Sequence, residues 1–248
     1  MKLKVLILAI FSITKVSSQQ IKVEYTFIKS PIANVKESLY IKENKAICIQ
    51  DSITNFSNEN SSPTSKKFIF PFKISSILSN NKIKQFKIFD KTNDNNLIFE
   101  IEDIVKSPNW EIDIKKTKKI LNYNCIKATM EFRGRKFTAY FTKELPYNTG
   151  PYKFFGLNGL ILEISADNMP YYIWKASSIN LDNNDKINYE IQEKNTNKIN
   201  IKEFVKIKDS ERNRFLKEIN DTDISFDSKV ETIEERPTIE KHYEWETQ

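Results

Sequence analysis

All four glycines of this 248-residue chain sit at positions 134, 150, 156 and 159, and the remaining sequence contains none. Elsewhere the chain turns on Asn, Asp, Ser and Pro, so the residue of greatest backbone freedom is reserved for one short stretch. Gly134 suits a tight hairpin turn. Gly150-Pro151 and Gly156-Leu157-Asn158-Gly159 imply positive φ or close approach of another segment, and Pro146 and Pro151 stiffen the same loop. Two readings follow: a rigid loop that contacts a ligand, or an architectural corner that carries the chain between parts of a sheet. The same scarcity excludes a P-loop and a dinucleotide-binding fingerprint, and neither pattern is present.

The segment before the corner defines its own register. With the turn at Arg133-Gly134, residues whose numbers sum to 267 face each other. Met130 then opposes Phe137, Ala128 opposes Ala139 and Ile126 opposes Phe141 on one side. Glu131 opposes Lys136, Thr129 opposes Thr138 and Lys127 opposes Tyr140 on the other. A slip of one residue would invert every face. Each favourable pair contributes about 0.2–1 kcal/mol.

Short runs of β-branched and aromatic residues recur at 21–29, 37–42, 45–50, 66–70, 85–89, 97–101, 159–165 and 171–177. The polar stretch 55–65 reads as a loop, as does 90–96 between two alternating runs, and 72–78 as one short helical turn. Asn200 three residues before Glu203 forms a capping box, and Ile201, Val205, Phe215, Leu216 and Ile219 follow at helical spacing, as one helix or two. The expected fold is α+β and strand-dominated: a curved antiparallel sheet, half-barrel-like in one version, with a C-terminal helical segment. The expected division is a leader at 1–18, a single β-rich domain at 19–220 and a loose acidic tail at 221–248.

Lys2 and Lys4, the apolar run from Val5 to Ile13 and the small residues Val16-Ser17-Ser18 make a secretory signal peptide cleaved before Gln19. The apolar run is too short to span a bilayer, and no later stretch comes closer, so no transmembrane segment is expected in the mature chain. Export places the protein in the periplasm, at the outer membrane or in the medium. Loss of Lys2, Lys4 and Lys15 takes the formal charge from +6 to +3, with lysines interspersed among acids. Such a mixed surface gives no footprint for nucleic acid.

The hexapeptide Gly156-Leu157-Asn158-Gly159-Leu160-Ile161 resembles the motif of the GLPGLI family of secreted Bacteroidota proteins. The resemblance extends in order through Pro108 and Trp110, Lys119-Ile120, Tyr123, Cys125, Ala128, Phe132-Arg133-Gly134-Arg135, Tyr140-Phe141-Thr142 and Gly150-Pro151-Tyr152-Lys153-Phe154. It covers about residues 108–167, with Asn158 standing where the family usually has proline. The resemblance implies an exported protein of unknown molecular function, with no established catalytic or binding residues to carry over. The hairpin is also distantly similar to the half-barrel of lipoprotein-carrier domains, in which a curved sheet holds an acyl chain.

Chemistry-bearing residues are few. Cys48 and Cys125 form either one disulfide or two isolated thiols; without a CxxC, and with His242 remote in the acidic tail, a catalytic thiol is not expected. One histidine and two cysteines cannot make a zinc finger, and His242 among Glu240, Glu244 and Glu246 reads as surface charge, not a metal site. Arg133 and Arg135 flank the hairpin turn and either face solvent or clamp an anionic group. Trp110, Tyr152, Phe154 and Phe155 supply aromatic surface near the corner. The candidate binding residues are therefore Trp110, Arg133, Arg135, Tyr152, Phe154, Gly156, Asn158 and Gly159, with no cofactor. The function expected is non-catalytic binding of an envelope partner protein or an apolar ligand. A lipid or lipopeptide carrier and an enzyme with an unrecognised site are the alternatives.

Overall fold

Alternation sets the architecture. In β1 (Ile21–Ser30) every second side chain, Ile21, Val23, Tyr25 and Phe27, is buried, and Lys22, Glu24 and Thr26 between them are not. β2 (Ala33–Lys42), β3 (Lys45–Asn55) and β4 (Thr64–Ile77) follow, and the same two-residue period recurs in β5 (Ile83–Lys91) and β6 (Ile98–Lys106). After the exposed β7 (Glu111–Ile120) it is clear again in β8 (Tyr123–Phe132) and β9 (Arg135–Thr142); β10 (Leu160–Ala166) and β11 (Ile173–Asn180) come next, followed by the short β12 (Asn197–Asn200) and the helix α1 (Ile201–Asp221). The structure, a computed structural model, describes residues 19–56, 62–78, 82–92, 97–191, 196–221 and 236–246. The leader at 1–18, residues 57–61 of the 55–65 loop, residues 93–96 and, in the tail, 222–235 and 247–248 lie outside them.

The strands form one 12-stranded sheet in the order β12-β6-β5-β4-β3-β2-β1-β11-β10-β9-β8-β7. It is two meanders of sequential antiparallel neighbours, joined where β1 pairs with β11, and only β12 lies parallel to its neighbour. Register shifts at Glu24/Tyr25, Lys36/Glu37, Gln50/Ser52, Asp113/Thr117 and Ile161/Glu163 add local twist. The open sheet is curved, and one continuous hydrophobic core spans both meanders.

The β8–β9 hairpin has the register anticipated from its sequence, with Met130 opposite Phe137 and Ala128 opposite Ala139. Arg133 (φ 44°) and Gly134 (φ 79°) both take the left-handed conformation that a two-residue type I′ turn requires. The capping box also forms: the Glu203 N–H donates to Asn200 Oδ1 at 2.9 Å, and the Asn200 N–H to Glu203 Oε2 at 3.2 Å. One helix follows. It packs through Phe204, 5.6 Å from Phe99 between ring centres, and through the buried Val205 of the expected stripe, whereas Phe215 is exposed.

Two elements differ from expectation. Residues 72–78 are not a helical turn but the continuation of β4, where Ile74 pairs with Cys48 on one side and Ile88 on the other. Cross-strand pairing on both edges overrides local propensity there. The lysine-rich β7 had no strand signature at all, because lysine is depleted in strands except at sheet edges, which is where β7 lies.

Candidate functional site

The loop at 143–159, between β9 and β10, folds into the curved sheet instead of running over its surface. Phe154, Phe155 and Leu157 are each about 1% exposed. Phe154 packs edge-on against Trp174 of β11 at 5.4 Å and against Phe137 of β9 at 5.0 Å, while Phe155 meets Phe86 of β5 at 5.8 Å. These rings join the two meanders, each contributing about 2–3 kcal/mol of burial. Gly159 permits the fit: a Cβ there would collide with the carbonyl of Thr142. The corner is architectural, and its occupants are aromatic.

Of the residues singled out from sequence, Trp110 and Tyr152 pack with this loop, and Arg135 contacts other segments. The Trp110 indole N–H donates to the Phe155 carbonyl at 2.8 Å, and its ring lies against the position a Cβ would take on Gly156. Tyr152 is half-buried, with its ring 6.0 Å from Trp174. Arg135 donates to the Thr238 carbonyl at 2.8 Å and lies over the Tyr172 ring. Asn158 is exposed and makes its turn without positive φ, so it occupies a surface position with ordinary backbone geometry.

Arg133 corrects the picture of a solvent-facing turn residue: it is 8% exposed. Its guanidinium grips Asp103 of β6 through two bonds of 2.7 and 2.8 Å, and Glu244 through two more of 3.1 and 3.3 Å. A fifth bond, 3.1 Å, reaches Glu240. Every N–H of the fork is thereby used, leaving none for an external anion. Lys153, from the buried loop, reaches Asp103 Oδ2 at 2.7 Å and also pairs with Glu240, whose other oxygen accepts from the Tyr243 hydroxyl at 2.9 Å. Lys153 and Arg133 hold the Asp103 carboxyl down, at about 2 against an ordinary 3.8, in spite of its burial.

Two of these carboxylates come from the segment expected to hang loose. Residues 236–246 instead lie over the hairpin turn: the Lys241 and His242 amides donate to the Arg133 carbonyl at 2.9 and 3.2 Å. The charge run is thus the counter-charge for a buried arginine and lysine. Arg236 ties the segment's other end to Asp209 of α1.

A second polar group lies deeper. Glu37 of β2 is fully buried, accepting from Gln50 at 2.8 Å, the Tyr152 amide at 2.7 Å and the Trp174 indole at 3.2 Å. Burial raises its pKa more than these donors lower it. Cys48 faces the carbonyls of Gly150 and Tyr152, each at 3.7 Å, and burial pushes its thiol well up. Cys125 is separately buried, its thiol raised to about 11, so the two cysteines are isolated thiols and not a disulfide. Lys84 of β5 is 3% exposed, with its ammonium 4.9 Å from the centre of Phe155 and 5.5 Å from that of Phe86. Its Nζ has no hydrogen-bond partner among the described residues, and burial lowers its pKa to about 8.

Asp103, Lys153, Glu37 and Lys84 were not among the sequence candidates. The available signal was phase: Glu37 alternates with Val35 and Leu39, Asp103 with Ile101 and Val105, and Lys84 with Phe86 and Ile88. A charge in the inward phase of a strand must find an internal partner or lose its charge.

On the outside, β7 ends the sheet. The shift between Asp113 and Thr117 leaves Ile114, Lys115 and Lys116 unpaired with β8, and Asp113 Oδ1 accepts from the Lys115 amide at 3.1 Å to shape the bulge. Ile112 and Ile114 are 50% and 72% exposed. They border an open groove of about 520 Å³, lined also by Glu111, Lys115, Lys127 and Thr129.

Among the described residues no cluster of His, Cys, Asp and Glu is arranged to hold a metal ion, and no helix is long and apolar enough to cross a membrane. The model of a family described as "Protein of unknown function (Porph_ging)" matches residues 131–163, a stretch holding the hairpin turn, β9, the buried loop and the start of β10. No curated protein matches the chain. A solved structure of PNGF-II in the P21 space group superimposes with a TM-score of 0.50 at 15% identity, over 77% of this chain and 33% of that one. The same protein in the C2 space group gives 0.46 at 17% identity, over 74% and 31%. This chain therefore spans about a third of the length of those structures, and at 15% identity the likeness to the first is one of fold alone.

Proposed function

We propose that this chain is an exported, non-catalytic binding module of the GLPGLI type that recognises a partner protein along the β7–β8 edge of its sheet. The observation that carries the reading is the pairing of an exposed sheet edge with two exposed isoleucines over a groove of about 520 Å³. Exposed apolar side chains beside unpaired strand backbone are what a docking surface offers. The interior contrasts with it. Arg133, Lys153, Asp103 and Glu240 answer one another, which leaves little there for catalysis. The core side of the sheet, where a half-barrel carrier would hold an acyl chain, is packed with Phe154, Phe155, Leu157 and Trp174, which weighs against a lipid carrier.

The test is photo-crosslinking in the native cell envelope, with the reactive group placed at position 114 and, as a control, at exposed position 104 on β6. A discrete protein adduct from 114 alone supports the reading. Adducts equal at both sites, or a stoichiometric lipid found by mass spectrometry of the purified protein, would replace it.

A further inference from the structure

We infer that the β7 edge takes an acidic, extended peptide segment as an additional β-strand. This rests on the binding-module reading and names the chemistry of its partner. Between positions 111 and 120, β7 carries four lysines against Glu111 and Asp113. Two of the lysines are already engaged, Lys116 with Asp113 at 3.7 Å and Lys118 with Glu163 at 2.7 Å. Lys115 and Lys119 remain exposed on the strand, and Lys127 of β8 lines the groove behind it.

Self-pairing across Lys115–Lys119 is disfavoured, because two copies centred there would set lysines opposite lysines, and like charges across a strand pair are destabilising. An acidic strand meets the opposite condition. Its backbone would pair with the outer edge of Thr117–Ile120 while alternate apolar side chains cover Ile112 and Ile114. Ile114 lies within the bulge at 114–116 and is 72% exposed, next to Ile112 at 50% on the paired part of the strand. Charge supplies orientation and encounter rate; the backbone ladder and the isoleucines supply residence.

The probe is a short fluorescent peptide of alternating glutamate and valine, titrated into the full mature chain and followed by anisotropy. Three comparisons decide the outcome: the lysine–valine analogue, the same acidic peptide N-methylated at alternate residues, and the double variant Lys115→Glu/Lys119→Glu. The acidic peptide is expected to bind, to weaken with added salt, and to lose about tenfold or more in each comparison. Ile112→Thr/Ile114→Thr is expected to weaken it as well, whereas Ile104→Thr on β6 leaves it unchanged. Equal binding of the N-methylated peptide, or indifference to the sign of charge, overturns the inference. If the acidic peptide fails to bind while position 114 still crosslinks to an envelope protein, the strand-addition chemistry is wrong and the broader reading stands. If neither occurs, both fall.

Discussion

Lys153 and Lys84 are both almost wholly buried on the inner side of the sheet, yet they are treated oppositely. Lys153 ends on two carboxylates, Asp103 and Glu240, inside a network completed by Arg133. Lys84 ends over two phenylalanine rings with no hydrogen-bond partner among the described residues. The comparison separates two ways of placing a charge in a core. One keeps the charge and surrounds it with counter-charge; the other lets burial pull the amine toward neutrality. The first fastens four segments of chain at one point: β6, the hairpin turn, the inserted loop and residues 236–246. The second fastens nothing and leaves a group whose protonation state depends on pH.

Breaking the network should have the largest effect. Asp103→Asn removes the carboxylate shared by Arg133 and Lys153 and is expected to cost about 3–5 kcal/mol in chemical denaturation, since both cations lose a buried partner. The sign with pH follows from the depressed folded pKa. The Asp103 contribution is complete above its ordinary 3.8 and is lost as pH falls toward about 2, so the variant and the parent should converge across that window.

Lys84 should behave in the opposite sense. Its folded pKa of about 8 lies below the ordinary 10.5, so the native state binds fewer protons between those values. The penalty is fully present below pH 8, and it is relieved as pH rises to 10.5. Relative to Lys84→Met, the parent should gain stability over that range, by a few kcal/mol at about 1.4 per pKa unit. At pH 7 the methionine variant is expected to be the more stable protein by about 1–3 kcal/mol in the same assay, where an ordinary buried lysine truncation would be neutral or harmful. The smallest effects belong to the surface and the thiols. Ile114→Thr should shift stability by less than about 0.5 kcal/mol. Cys48 and Cys125, both buried with raised pKa, should alkylate only as fast as the protein unfolds, measured by mass spectrometry over a denaturant series.

How much of this was legible beforehand follows from the range of the interactions. The β8–β9 register was readable because pairing and turn lie within twenty residues and the faces differ in polarity. The capping box was readable for the same reason: its partners are three residues apart. β7 was not, since its lysines suit an edge, and being an edge is a property of the whole sheet. Arg133 looked exposed because nothing near it in sequence indicates that Glu240 and Glu244, more than a hundred residues on, would cover it. The glycine cluster is legible as a backbone feature. That it seats a loop inside the sheet depends on Thr142 approaching Gly159, which composition alone does not encode.

The seam between β1 and β11 has a consequence for biosynthesis. Ile28 pairs with Ile173 and Val23 with Ile179, so the strand that forms first in the first meander must wait for one made near the end of the second. At roughly 5–20 residues per second, β1 spends several seconds to about half a minute with one flank unsatisfied. That interval, not the final architecture, is when the nascent chain most needs a chaperone or a passage that keeps it apart from its neighbours.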